Sequence, residues 1–314
     1  MNDVRYMLVA VEEVGQRLDN YLLRLLKGVP KSHIYRIIRG GEVRVNSKRA
    51  KVSQRLCAGD SIRVPPIRLA AEKNVYVGSK WSARLEDCIL YEDDALLVVN
   101  KPAGIAVHGG SGLSFGVIEA LRKLRTDLPY LELVHRLDKE TSGCLLLAKK
   151  RSMLRAIQAM LADRSIKKTY VALWSLPWVG PTKVLVDIAL QKNILASGER
   201  RVIVHPAGKS SQTSFKLIEN YLQACFVEAS PHTGRTHQIR VHSLHQMHPI
   251  IGDEKYGARD LCDHGTFVPE RLYLHARAVD FALNGRNYHF QAELDPIFTA
   301  ALDQLRQQNH DRSA

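Results

Sequence analysis

The chain has 314 residues, 45% hydrophobic and 25% charged, which excludes intrinsic disorder and is long enough for two domains. A formal net charge of +13 predicts a polyanionic partner, since a basic surface steers and holds nucleic acid or an anionic membrane. A helical membrane span is excluded, because no apolar run approaches the roughly 20 residues it needs.

The charge is segregated. Residues 15 to 66 hold 12 Lys and Arg against 3 Asp and Glu, a net of +9, which leaves +4 for the other 262 residues. Before them, Met7 to Val11 is too short for a signal-peptide core and runs into Glu12-Glu13, so no secretion signal is expected. Leu18, Tyr21, Leu22, Leu25 and Leu26 recur at helical spacing from Arg17 onward, and Gly28-Val29-Pro30 stops them. Ser32 is placed to cap a second helix carrying Ile34, Tyr35, Ile37 and Ile38, which Gly40-Gly41 ends. A strand Val43-Arg44-Val45, a turn Asn46-Ser47-Lys48 and a strand Ser61 to Val64 before Pro65-Pro66 complete a small module. So much like charge in so short a stretch repels itself unless a polyanion offsets it.

Residues 67 to 86 are polar and weakly patterned and read as a linker, dividing the chain into domains at 15–78 and 85–308. Strands follow at Ile89-Leu90-Tyr91 and Leu96 to Val99, around the turn Glu92-Asp93-Asp94, and lead to Asn100-Lys101-Pro102. Gly112-Leu113-Ser114-Phe115-Gly116 matches the G-x-S-x-G elbow of serine hydrolases and precedes a helical run, Val117 to Leu124. An elbow wants a firm strand before it, and Val107-His108-Gly109-Gly110-Ser111 is a Gly-rich loop. A hydrolase using Ser114 is therefore the weakest functional reading.

Next, Asp138 stands between apolar Leu133-Val134 and the run Cys144 to Ala148, with Thr141-Ser142-Gly143 suited to a tight reversal. Gly143 frees the backbone to turn or to approach a ligand closely. On composition alone, a hairpin with Arg136–Asp138 or Lys139–Glu140 ion pairs is the favoured reading of the stretch. A helix is expected over Lys150 to Leu161 and a strand over Ile166 to Leu173, where Tyr170 alternates in phase with Lys168 and Ala172. Residues 176 to 216 carry a strand near Val184 to Leu190 and a loop over Asn193 to Arg200. Strands Thr213 to Ile218 and Ala224 to Ala229 lead to Thr233-Gly234-Arg235-Thr236-His237-Gln238-Ile239-Arg240-Val241-His242. His232, His237 and His242 are spaced by five, which swings about 140° around a helix from one to the next, and no H-E-x-x-H accompanies them, so no metal site is expected. A hairpin, Tyr273 to Phe281 and Tyr288 to Ala292, turns at Asn284-Gly285-Arg286, and a last helix follows Pro296. The fold class is α+β, with a mixed, mostly antiparallel sheet and helices around a cleft. Cys57, Cys88, Cys144, Cys225 and Cys262 are odd in number and scattered, as expected of reduced thiols in a cytoplasmic protein.

The string His135-Arg136-Leu137-Asp138-Lys139-Glu140-Thr141-Ser142-Gly143 resembles the H-R-L-D-x-x-T-S-G signature of the bacterial pseudouridine synthases of ribosomal large-subunit RNA, the family with members A to D. Tyr91 to Pro102 is similar to that family's Y-E-D-x-x-x-x-V-x-N-K-P block, Lys168-Thr169-Tyr170 to its K-x-Y strand, and Thr233 to His242 to its T-G-R-T-H-Q-I-R-V-H block. The order of elements in residues 16 to 66 resembles the S4 domain, which grips structured RNA. The resemblance implies isomerisation of uridine to pseudouridine in RNA, without a cofactor, by a pseudouridine synthase domain following an S4-like RNA-binding domain. It makes Asp138 the catalytic aspartate, pairs Arg240 with it, lays Tyr170 on the uracil to stack and to help remove the C5 proton, and packs Ile239 near the base. Arg136 would fill the stack that the flipped uridine vacates, with His135, Thr141, Lys101 and Arg235 among the substrate contacts. Arg17, Lys31, Ser32, Arg36, Arg39, Arg44, Lys48 and Arg49 would meet RNA from the first module.

Residues 107 to 116, Asn193-Ile194-Leu195 and Ser197-Gly198-Glu199-Arg200 resemble a member that modifies several sites. This implies 23S ribosomal RNA as the substrate; a monomer and a cytoplasmic location are further expectations. A non-catalytic RNA-binding ribosome assembly factor is the alternative from another class, and the filled positions 138, 170 and 240 argue against it.

Overall fold

A computed structural model describes residues 3–26, 28–67, 79–109, 115–194, 198–257 and 268–311 and separates two units, Met1–Tyr76 and Val77–Ala314. In the first, β1 (Arg5–Leu8) leads through a 3-10 turn to α1 (Leu18–Leu25) and α2 (Lys31–Arg39), followed by β2 (Arg44–Val45), β3 (Lys48–Arg49) and β4 (Ser61–Val64). Leu18 and Leu22 of α1, Ile34, Ile37 and Ile38 of α2, and Val45, Ile62 and Val64 close one core. Burying each such side chain contributes about 1.5–3 kcal/mol.

Two expectations for this unit are corrected. β1 was missed: it pairs antiparallel with β4 at the edge of the sheet order β1-β4-β2-β3. Its alternating Arg5-Tyr6-Met7-Leu8 half-buries only one face, a weak signal in four residues. Ser32 does not cap α2, because Pro30 is the N-cap and its carbonyl accepts from the amides of His33 and Ile34. Proline's fixed φ starts the helix before Ser32 can cap it.

The second unit opens with α3 (Ser79–Glu86), in the stretch read as linker. Leu85 is fully buried and α3 packs on α4 (Val117–Leu124). Strands β5 (Ile89–Glu92), β6 (Leu96–Lys101), β7 (Glu132–Leu133) and β8 (Ser142–Ala148) precede α5 (Arg151–Asp163) and β9 (Lys167–Ser175). Then come β10 (Lys183–Asp187), β11 (Leu190–Ile194), β12 (Arg200–Val204), β13 (Gln212–Asn220), β14 (Ala224–Pro231) and α6 (Gln238–His245). The chain ends with β15 (Leu274–Leu283), β16 (Arg286–Gln291) and α7 (Pro296–Asp311). The expected loop over 193–200 begins with the last residues of β11 and ends on the first residue of β12, which pair antiparallel, and Leu195 and Ser197 lie outside the described residues, as do Ser114 and Cys262.

The main sheet runs β10-β13-β14-β9-β15-β8-β6-β5, with β16 on β15 and β7 on β8. Every pairing in it is antiparallel except β8 with β15, so the sheet is mixed and mostly antiparallel, as the strand pattern predicts. All seven residues of β8 are buried. Where β8 meets β15, Gly143 has φ 108 and lies opposite Ala276, whose carbonyl oxygen would collide with any Cβ. Its freedom serves strand approach rather than ligand approach. Val171 and Leu173 of β9 pack on α7 through Phe298 and Leu302. Ala172 and Trp174 pack with Ile239 of α6 on the opposite side.

Candidate active site

Asp138 sits in the turn that feeds β8, and several buried groups fix that turn. The Thr141 amide donates to the Asp138 carbonyl at 3.2 Å. Lys101 is completely buried at the end of β6, and its Nζ donates to the carbonyls of Pro102, Ile105 and Lys139 at 2.8, 2.8 and 3.0 Å. Burial lowers its pKa to about 7, while three carbonyl acceptors favour the ammonium. This corrects the reading of Lys101 as a substrate contact: its donors are spent on the backbone beside Asp138. His135 is likewise engaged, because its Nε2 accepts the Leu146 amide at 3.1 Å. Burial pushes it down to about 4, so it is a neutral brace for β8. On the far side of the turn, Ser142 Oγ lies 2.8 Å from His275 Nδ1 and accepts from Arg271 at 2.8 Å. His275 and Ser142 are buried, so this Ser–His pair is a fastening and not a hydrolytic dyad.

Arg240, on the first turn of α6, reaches Asp138 Oδ2 through Nη1 at 3.4 Å. Its closer partner is Asp253, which takes Nε and Nη2 at 2.7 Å each. Asp253 also accepts the amides of Lys255 and Tyr256 at 3.0 and 2.9 Å. Burial works against the Arg240 cation, but the Asp253 bonds outweigh it and the pKa is raised. The expected Arg240–Asp138 pair is thus present but secondary, since a bidentate fork holds the guanidinium from the other side. Arg240 also lies over the Tyr256 ring at 5.0 Å. His237 Nε2 comes within 3.7 Å of the same Oδ2 of Asp138.

Asp138, His237 and Arg240 line a cleft of about 1040 Å³ with Tyr170 and Ile239. The volume lies at the top of the range of about 300–1,000 Å³ for small-ligand pockets, roomy enough for a nucleotide still joined to its chain. Burial, then the charge of Asp138, raises the Tyr170 phenol, so it is a neutral ring suited to stacking. Arg136, exposed on the cleft, has no side-chain partner among the described residues, and the Arg136–Asp138 hairpin bridge does not form. Lys139–Glu140 does pair, at 3.4 Å between exposed groups, which contributes about 0–1 kcal/mol. Arg235 Nε donates to the Ser210 carbonyl at 3.1 Å. Thr141 lines the cleft but is 3% exposed. Arg164, Lys167 and Lys168 add cations to the lining; Lys168 has no hydrogen-bond partner among the described residues.

A family model described as RNA pseudouridylate synthase matches residues 95–245, and one described as S4 domain matches residues 16–62. The ribosomal large subunit pseudouridine synthase C of Yersinia pestis is 52% identical over 309 residues, covering 96% of each chain. That of Haemophilus influenzae is 50% identical over 311 residues, covering 98% of this chain and 96% of its own. The chain belongs to the RNA pseudouridylate synthase family. Among solved structures, human RNA Pseudouridylate Synthase Domain Containing 4 matches this synthase with a TM-score of 0.59 and 27% identity, over 72% of this chain and 96% of its own. The enzyme is accordingly an isomerase.

In the S4 unit of this synthase, Lys31, Ser32, Arg36 and Arg39 are exposed on α2, away from buried Ile34, Ile37 and Ile38. Lys31 and Arg39 flank the Tyr35 ring at 5.3 and 5.8 Å, and Arg36 lies 3.3 Å from His33 Nδ1. Arg44, Lys48 and Arg49 are exposed on β2 and β3. Arg17 stands apart: its guanidinium is held in a fork by Asp19 at 3.0 and 2.8 Å. Asp253, Tyr256 and His237 are the residues of the synthase site that sequence reasoning missed. Gly252-Asp253 after the apolar pair Ile250-Ile251 was the available signal, an acid in a Gly turn directly beyond α6.

Proposed function

We propose that this synthase isomerises more than one uridine of 23S ribosomal RNA, with Asp138 as the essential carboxylate acting on a flipped-out uridine. The observation that carries the reading is the convergence of Asp138, Tyr170, Ile239 and Arg240, from three distant stretches of chain, on one cation-lined cleft. Isomerisation breaks the N1–C1′ bond, turns the uracil and joins C5 to C1′, so C5 releases a proton and N1 takes one. The reaction is redox-neutral and needs no cofactor. A carboxylate suits the electron-poor sugar carbon or a ribose proton.

Flipping the base costs a few kcal/mol. Stacking on Tyr170 offsets about 1–3 kcal/mol of that, and Arg136, without a side-chain partner among the described residues, has the planar group to fill the vacated stack. The exposed cations of α2, β2 and β3 hold the RNA at a second place. The large-subunit names of the relatives support ribosomal RNA as the substrate. One chain supplies every group invoked, which supports a monomer. Among the described residues no helix is long and apolar enough to cross a membrane, and the four described cysteines are free thiols; both accord with a cytoplasmic enzyme.

The test offers purified protein 5-tritiated 23S rRNA, 16S rRNA and bulk tRNA in parallel. Tritium release from 23S rRNA alone is expected, and Asp138→Asn should abolish it with RNA affinity kept within a few-fold. Release confined to tRNA or 16S rRNA overturns the substrate, and turnover by Asp138→Asn overturns the site.

A further inference from the structure

His237 belongs to no role assigned above, yet its ring is oriented from two sides. The Val202 amide of β12 donates to Tyr256 Oη at 2.9 Å, and that oxygen lies 2.7 Å from His237 Nδ1. The peptide N–H takes one lone pair of Oη and leaves the hydroxyl proton free to point at Nδ1; in that arrangement a neutral imidazole carries its proton on Nε2. Burial lowers the His237 pKa, against the pull of Asp138, which favours the neutral ring. Nε2 faces Asp138 Oδ2 at 3.7 Å, and Arg240 Nη1 faces the same oxygen at 3.4 Å. Oδ1 has no partner among the described residues.

The backbone supports a purpose for this ring. His237 is the N-cap of α6 at φ 51 and ψ 22, left-handed, and makes no side-chain capping bond. A left-handed non-glycine residue is held there by its surroundings at some cost. Here a residue at an N-cap position sends its side chain to Tyr256 and Asp138 instead of to the helix amides.

We propose that His237 is a positioning residue for the isomerisation: its Nε2–H, with Arg240, holds Oδ2 of Asp138 and so presents Oδ1 to the ribose. Arg240 Nη1 makes a long hydrogen bond to Oδ2 and His237 Nε2 stands slightly beyond hydrogen-bond distance; both tighten as the substrate excludes water. The two oxygens of one carboxylate thereby become inequivalent, one anchored and one reactive. The proposal rests on Asp138 being the reacting carboxylate.

Full-length protein and 23S rRNA test it by single-turnover tritium release alongside RNA affinity and melting temperature. His237→Asn tolerates the left-handed backbone but is too short to donate at the Nε2 position; His237→Gln restores an N–H there. His237→Asn should slow the single-turnover rate about 30- to 100-fold, the scale of a misplaced reacting group, with affinity within twofold. His237→Gln should recover most of the rate, and Tyr256→Phe, which frees the tautomer, should lose part of it. A His237→Asn enzyme as fast as wild type overturns the proposal. So does a His237→Gln enzyme as slow as His237→Asn, or a loss that affinity shares in equal measure. Failure of the underlying reading looks different: wild type without turnover, or Asp138→Asn with it.

Discussion

Replacing Asp253 with asparagine removes the charge that holds Arg240 while preserving the volume of a side chain only 1% exposed. Oδ1 of Asp253 accepts Arg240 Nη2 and two peptide amides, and Oδ2 accepts Arg240 Nε. An amide has one oxygen. Placed to keep the two peptide amides, it turns its NH2 against the Arg240 Nε–H, donor to donor. One charge-assisted bond is lost, worth about 1.5–3 kcal/mol, and breaking a buried pair from one side costs about 3–5 kcal/mol. Asp138 remains at 3.4 Å to share the stranded guanidinium, so the lower end, about 3 kcal/mol, is expected. Arg240 then has only Asp138 to pair with, and a shift of the carboxylate by about 1 Å would slow turnover on the order of 100-fold. Urea denaturation reads the first effect and tritium release the second. A variant as stable and as active as wild type refutes the claim that Asp253 anchors Arg240.

Acid should weaken the fold early, because His242 and His275, both 0% exposed, are pushed by burial down to about 4. The unfolded chain binds their protons first, so the stability they contribute is complete above about pH 6.5 and falls toward pH 4, by up to about 3 kcal/mol apiece; a urea midpoint flat from pH 7 to 5 would contradict this. Deleting residues 1–76 should leave a folded catalytic unit with weaker RNA affinity and a shallower dependence of affinity on salt, since the surplus of positive charge goes with them. An unchanged slope in a salt titration would mean that the S4 unit does not touch the RNA.

Local chemistry made much of this protein legible. Ile34, Ile37 and Ile38 announce a helix face by spacing alone, and Asn284-Gly285 announces the β15–β16 reversal because both residues accept the positive φ the turn demands. The motifs around Asp138, Tyr170 and Arg240 point to the cleft because each is a contiguous string of residues along the chain. Four residues of β1 alternate too briefly to stand out, and α3 hides because few of its positions are apolar. The role of a polar side chain was the least legible feature. Lys101 and His135 read as substrate contacts, and the structure spends both on backbone groups, because strands distant in sequence bury them where only peptide oxygens and amides are within reach. Arg240 read as the partner of Asp138, yet its firmer partner lies thirteen residues downstream, and the His237 tautomer depends on an amide in β12. Sequence by itself determined which elements form and which residue types carry the chemistry, since periodicity, turn preference and charge are properties of neighbours along the chain. Only the tertiary structure decided which donors remain free for RNA, because a hydrogen bond is shared among whatever groups the fold brings within about 3 Å.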